Sequence, residues 1–207
     1  SAAYAESQEW LDRVDVEVVA DVNDLINSGC TRKLVSIAEA LHEKRLSDIA
    51  DVILSQRRAL RVLAISGPSS SGKTTTTQRL ATQLEVNGLK PVALSLDNYF
   101  VNRELTPVDK DGRYNFESPD ALDLPLLRQH LAELVDGRPV DIPTFDFVTG
   151  TRTAVTTRMQ VGPSEILLIE GIHALNPMLT RGINRNLVFK VYVSALGGLN
   201  IDLMNRV

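Results

Sequence analysis

Gly67, Gly72, Lys73 and Thr74 fall within the stretch ISGPSSSGKTTTT, residues 65–77, a run that no hydrophobic core would use. Four residues separate the two glycines, which gives the spacing G-x-x-x-x-G-K-[ST] of a phosphate-binding loop. Glycines let the backbone approach an anion and adopt conformations barred to other residues. Successive N–H groups then converge on the anion, and the helix that follows adds its positive end. Lys73 supplies a mobile point charge for the β- and γ-phosphates, and Thr74 offers a hydroxyl to Mg2+. Ser69, Ser70, Ser71 and Thr75 fill out the candidate ATP cradle as helix-start residues and backbone partners. A Gly/Ser turn without a ligand is the plainer alternative, but an apolar run before the motif and a helical pattern after it meet the demanded context.

A phosphate loop by itself specifies only a nucleotide. In open α/β sheets the ligand lies beyond the carboxyl ends of the strands. Two acids stand at such ends, Asp97 after VALSL and Glu170 after ILLI. One could hold Mg2+ while the other takes a proton from an acceptor hydroxyl; the simpler reading is that each caps a loop. His173, in EGIHAL, needs no catalytic role, because phosphoryl transfer depends mainly on positioning and charge stabilisation, and Asp97 already offers a base. It would orient Glu170 or fill the loop. Tyr99, Arg113 and Tyr114, in the region after the second strand, are candidates to line an acceptor site.

The elements that must position these groups are legible as periodicity. RVLAIS, KPVALSL, EILLIEG and NLVFKVYVS read as strands, the first leading into the phosphate loop. KTTTTQRLATQLEVNG reads as a helix ended by Gly88. SPDALDLPLLRQHLAELVDG reads as a helix capped by Ser118, with Pro119 at its first position and Pro125 bending or restarting it. Strands alternating with helices predict an α/β fold with a mostly parallel sheet flanked by helices. VDIPTFDFVTGTRTAVTTRMQV alternates and carries turn residues, which predicts a β-hairpin arm. Residues 1–58 read as helical: VEVVADVNDLINSG is one helix ended by Gly29, and a longer one starts at a Thr31 cap. Its apolar face is read as Leu34, Ile37, Ala38, Leu41, Ile49, Val52 and Ile53.

Composition sets outer limits. The 207 residues suffice for one domain plus an appendage, and 43% hydrophobic with 23% charged residues is ordinary for a globular chain. A net charge of −4 argues against a nucleic-acid partner, which needs a basic face. The lone Cys30 excludes an internal disulfide and fits a reducing compartment; it is expected as a small packed residue rather than a nucleophile. No apolar run is long enough to span a membrane, and SAAYAESQEW lacks the basic start and apolar middle of a signal peptide. A cytoplasmic location and no membrane partner are the expectations.

GPSSSGKTT, LSLDNYF, YNFESPDALD, LRQHLAELVDGRPVDIPTFDF and ILLIEGIHAL occur in the order found in uridine kinases, and the chain resembles the phosphoribulokinase/uridine kinase group over residues 61–207. The resemblance implies an ATP-dependent phosphotransferase with a P-loop core and a small-molecule acceptor, such as the 5′-hydroxyl of uridine or cytidine. It implies Asp97 as the base, Lys73 at the phosphates, and Glu170 with Thr74 around Mg2+. It implies that Phe116 and Glu117 line the sugar site, where the family usually has Phe-Asp. It leaves room for a homo-oligomer.

Three departures qualify it. The family's arm reads Tyr-Asp-Phe or Tyr-Asp-Tyr followed by a His, and the Tyr and His contact the pyrimidine; here those positions are Phe145 and Gly150. Phe145 can stack on a ring without offering a phenol, and Gly150 offers no side chain. Another sugar-type acceptor, or a nucleotide-sensing protein without kinase activity, stays open. Arg152 could pair with an acidic or phosphate group of the acceptor, or brace the arm. Second, the family continues into an arginine-bearing lid, whereas Arg206 is the only arginine beyond FKVYVS. The expected division is a helical segment, 1–58, and a kinase domain, 59–207, without its lid. Third, AEALHEKRLSDIADVI is similar to the segment that joins longer uridine-kinase-like proteins to a region related to threonyl-tRNA synthetases, which would make 1–58 the tail of a further domain.

Overall fold

The computed structural model describes residues 11–194; SAAYAESQEW and Arg206, with what the sequence led us to expect of them, lie outside the described residues. The chain divides into two compact units, with the division inside one long helix: residues 11–47 of the described chain in the first, and Asp48–Ser194 in the second.

In the first unit, α1 (Val19–Asn27) begins where the Asp21 carboxylate accepts the main-chain N–H groups of Glu17 and Val18, at 2.8 and 2.9 Å. Those bonds hold the Asp21 carboxyl below its usual range. Gly29, at φ +74°, turns the chain after α1. α2 (Thr31–Ser55) follows, and its first turn bonds back to the Cys30 carbonyl, which accepts from Lys33 and Leu34. Thr31 is therefore the first helical residue and not the cap. Cys30, expected to be packed, is exposed because that turn lies at the surface. Leu11, Val14 and Val16 are buried, with Val22, Leu25, Leu34 and Ile37 packed against them. Along α2 the buried residues are Leu46, Ala50 and Ile53, whereas Val52, expected on that face, is 46% exposed. Positions 46, 50 and 53 form the better i, i+4, i+7 stripe, which the charged sequence around them obscures.

The second unit is built on four parallel strands: β1 (Val62–Ser66), β2 (Lys90–Ser95), β5 (Glu165–Glu170) and β6 (Val188–Tyr192). Their order across the sheet is β2-β5-β1-β6. β1 is buried along its whole length, as an unbroken apolar run requires of a strand covered on both faces. Register pairs Glu170 with both Ser95 and Ile65, and Ser66 with Tyr192. All four strands thus finish along one edge. α3 (Lys73–Val86) leaves that edge from β1 and packs against β1, β2 and β5. α4 (Leu124–Val135) is shorter than the sequence suggests. Ser118 caps only a single 3-10 turn, Pro119–Ala121; Asp123 caps α4 itself, accepting from Leu126 N–H at 3.1 Å, and Pro125 sits in its first turn. Pro125 restarts the helix because its ring tolerates no helical partner before it but suits a first turn.

β3 (Val140–Asp146) and β4 (Thr151–Met159) form the predicted antiparallel arm. The core of this unit runs from Val62, Leu167 and Ile169 in the sheet to Leu127, Leu131 and Leu134 of α4 and Val140, Ile142 and Phe145 of β3. No helix among the described residues is long and apolar enough to cross a membrane.

Candidate active site

Between β1 and α3 the chain does what its glycines allow. A Cβ on Gly67 would lie 2.1 Å from the Val193 carbonyl oxygen, so only glycine lets the end of β6 close against the loop. Gly72 caps α3 at φ +82°, with nothing within 4 Å of a would-be Cβ. The space above it is open, as a cradle for an anion requires. Ser70 shares the left-handed conformation, at φ 59°. Ser69, Ser70, Thr74 and Thr75 are exposed around the loop. The Ser71 hydroxyl is enclosed with no hydrogen-bond partner among the described residues. Lys73 Nζ bonds the Pro68 carbonyl at 2.7 Å, folding its charge over the loop.

Two carboxylates meet this cradle from the neighbouring strand ends. Asp97 lies in the 3-10 turn Leu96–Tyr99 that directly follows β2, and its main-chain N–H is held by Ser95 Oγ at 3.3 Å. Glu170 ends β5. Gly171 makes their approach possible: a Cβ there would come within 2.8 Å of the Leu96 side chain. Solvent reaches Asp97, yet surrounding protein desolvates it enough to raise its carboxyl above the usual range, with Lys73 pulling the other way. Burial also raises Glu170; the charge of Asp97 adds to the rise, while Lys73 and a hydrogen bond with the Thr74 side chain oppose it. Lys73, Asp97 and Glu170 thus interact through charge, and Thr74 joins them through its hydrogen bond to Glu170.

A triphosphate and Mg2+ suit these residues. The loop provides open main-chain donors, an enclosed hydroxyl without a partner and a lysine. The Thr74 hydroxyl and Glu170 carboxylate form an all-oxygen pair. No group of three or more His, Cys, Asp or Glu side chains among the described residues could hold a metal. Two protein oxygens with phosphate and water completing the shell is the arrangement expected of Mg2+, not of a dedicated protein cage.

The acceptor side differs from the sequence reading at Tyr99 and Phe145, and Arg152 takes one of the two roles that reading left open. Tyr99 is fully buried, its hydroxyl 2.9 Å from His130 Nδ1 of α4, so it lines no cleft. Burial raises the Tyr99 phenol and lowers His130, which keeps both neutral. Phe145 is also in the core, 7% exposed and packed on Phe100 and Phe147, because a register shift between Pro143 and Phe145 breaks the alternation of β3 and turns position 145 to the face that buries Val140 and Ile142. Phe147, 57% exposed, is the aromatic that the arm presents. Arg152 is a brace. Its guanidinium donates to Asp123 at 2.9 Å, to the Tyr99 carbonyl at 3.0 Å and to the Phe100 carbonyl at 3.1 Å. Its main-chain N–H also bonds Asn102 Oδ1.

Phe116 is half-buried, edge-on to Phe100 at 5.8 Å and 6.3 Å from Tyr114, itself 48% exposed. Glu117 beside it is exposed. His173 faces the main chain of Glu117 and Ser118, and burial lowers its pKa. Of the two roles the sequence allowed, orienting Glu170 or filling the loop, these bonds fit the second, and they support the segment carrying Glu117. Arg103 was not singled out in the sequence: it sits in no motif, and only the folded loop brings it to the arm. Its main-chain N–H donates to the Gly150 carbonyl at 2.8 Å.

A parallel sheet in which β1 feeds a glycine-rich loop and a helix N-terminus, with an acid at the end of the adjacent β5 and another just after β2 beyond it, defines a P-loop nucleotide-binding protein. The phosphoribulokinase / uridine kinase family model matches residues 62–206, and the chain belongs to that family. It is 33% identical over 132 residues to a uridine kinase of Lactobacillus helveticus (strain DPC 4571), a match covering 64% of this chain and 60% of that protein. It is 34% identical over 157 residues to the inorganic pyrophosphatase TTM2 of Arabidopsis thaliana, covering 75% of this chain and 21% of that one. A solved structure described as a possible uridine kinase from Bacillus stearothermophilus superposes with a TM-score of 0.58 at 24% identity, over 72% of this chain and 79% of that one. The chain spans about three fifths of the length of the uridine kinases it matches.

Proposed function

We propose that the protein transfers the γ-phosphoryl group of ATP to a hydroxyl of a sugar-bearing small molecule. The observation that carries this reading is the meeting at one sheet edge of Lys73, Glu170 and Asp97, which interact through charge, with Thr74 hydrogen-bonded to Glu170. Loop amides from Gly67 to Thr75 and the start of α3 would hold the phosphates, with Lys73 at the β- and γ-phosphates. Thr74 and Glu170 would hold Mg2+, which neutralises charge on the phosphate oxygens. Asp97, ionised, accepts the proton of the acceptor hydroxyl as that oxygen bonds phosphorus and the bond to the β-phosphate oxygen breaks. Lys73 opposes the rise that burial gives the Asp97 carboxyl. Glu117 holds the acceptor's vicinal hydroxyls, and His173 fixes the segment that carries it.

The names of the uridine kinase relatives support a nucleoside 5′-hydroxyl as acceptor, uridine or cytidine first. A second reading, a different sugar-type acceptor, is favoured by the arm: Phe145 is buried and Gly150 offers no side chain, so neither supplies the contacts by which the family reads a pyrimidine. The test of the reaction itself is Asp97→Asn. ATP binding persists, while turnover on the preferred acceptor falls by roughly 10²–10⁴-fold, the range for loss of a positioned general base. Near-normal turnover in the variant refutes the assignment.

A further inference from the structure

The tip of the arm holds a cation that the reaction above does not use. Gly150 is buried at φ +71°, and a Cβ there would fall 2.6 Å from Arg103 Nε, 2.7 Å from Cζ and 2.9 Å from Nη2. The Arg103 guanidinium thus occupies the space of a side chain at 150, which is where the resemblance places the family's histidine. It is fixed there by its own main-chain bond to Gly150 and by Nη2 donating to the Phe147 carbonyl at 3.1 Å. Arg103 is half-buried, yet among the described residues it forms no ion pair, and Nε and Nη1 have no hydrogen-bond acceptor. Arg152, two residues along the arm from Gly150, has its carboxylate in Asp123; Arg103 does not.

The neighbouring rings link this cation to the acceptor side. Exposed Phe147 stands edge-on to Phe100 at 5.9 Å, and Phe100 stands edge-on to Phe116, the residue before Glu117. Glu117 and Arg103 therefore flank one aromatic floor. A half-desolvated guanidinium with two unused donor nitrogens and no acid prefers an anionic partner, bound through charge-assisted bonds.

We propose that Arg103 reads an anionic group on the acceptor, a phosphate or carboxylate remote from the hydroxyl that is phosphorylated. The inference rests on the kinase reading and narrows its acceptor to sugar phosphates or hydroxy acids. Replacement of an arm side chain by a guanidinium from a different loop changes the subsite from one that pairs with a neutral base to one that pairs with an anion.

The test is phosphoryl transfer from ATP by the full chain to uridine, ribulose 5-phosphate and pantothenate, which represent a neutral base, a phosphate and a carboxylate. Wild type and the variants Arg103→Gln and Arg103→Lys are compared. One of the two anionic acceptors is expected to exceed uridine in kcat/KM. Arg103→Gln raises its KM by about tenfold to a hundredfold, as loss of a charged hydrogen-bond donor does, and by much more than it raises that of uridine. Arg103→Lys retains part of the preference. If uridine is preferred and Arg103→Gln affects all three alike, the inference falls and the kinase reading stands. If no acceptor is phosphorylated, the kinase reading falls. Calorimetric titration of the two anions into protein holding a non-hydrolysable ATP analogue and Mg2+ then decides: binding abolished by Arg103→Gln upholds the anion site, and absence of binding overturns it.

Discussion

Asp97 and Glu170 oppose one another in the folded state. Both carboxyls are raised, first by burial, and Glu170 also by the charge of Asp97. Each therefore holds its proton more tightly folded than unfolded. Between the ordinary carboxylate range and the raised values the folded chain carries more protons, so stability falls as pH rises through that window. Above it, the cost of two ionised neighbours is fully present; below it, the cost is gone. Asp97→Asn should accordingly melt above wild type near about pH 8, with the gap narrowing toward about pH 4. Thermal melts across that range check the sign; a variant less stable than wild type at high pH would mean that Lys73 outweighs burial at this site. The same substitution that removes the proposed base stabilises the chain, as expected where charges are gathered for reaction and not for packing.

The hairpin arm is the element whose position matters most to the acceptor. β4 is exposed along nearly all of its length, so little apolar contact holds it beyond its pairing with β3. Arg152 supplies the missing attachment, tying β4 to Asp123 at the start of α4 and to the carbonyls after the Asp97 turn. Side-chain exposures of 25% and 29% for the pair make this bridge stronger than a surface one. Arg152→Ala should cost about 1–3 kcal/mol, since it removes charged hydrogen bonds and strands Asp123 partly buried. KM for the acceptor should rise while ATP affinity holds, because the phosphate loop lies on different elements. Urea unfolding with paired titrations of nucleotide and acceptor measures both; equal loss of the two affinities would contradict the separation of arm from loop.

At the scale of the whole molecule, the two units have separate buried clusters: Leu11, Val14 and Val16 in one, and the residues packed on the parallel sheet in the other. The described residues of the proposed nucleotide site all fall in Asp48–Ser194. Binding stabilises only states that contain the site. Amide exchange with Mg2+ and an ATP analogue should therefore slow in β1, α3 and the ends of β2 and β5, and stay unchanged across residues 11–47. Protection spread equally over both units, read by mass spectrometry of peptides, would show that they open together.

Much of this arrangement is carried by local order in the chain. G-x-x-x-x-G-K-T between an apolar run and a helical pattern specifies a phosphate loop, because its two glycines permit the close approach at Gly67 and the left-handed cap at Gly72. Alternation of strand and helix dictates a parallel sheet, and the sheet gathers its strand-end acids on one edge, so the placement of Asp97 and Glu170 there follows from residue order. What local order could not give is which side chains face outward and which distant groups meet. Phe145 turns inward by a register shift in β3, and Tyr99 by a partner thirty-one residues away in His130. Arg152 closes on Asp123 rather than on a ligand, and Arg103 enters the gap above Gly150. Each depends on contacts between segments remote in sequence, whose free energies are set by burial and charge pairing in three dimensions. The amino-acid order determined where phosphate chemistry belongs; tertiary packing alone decided which residues were left to recognise the acceptor.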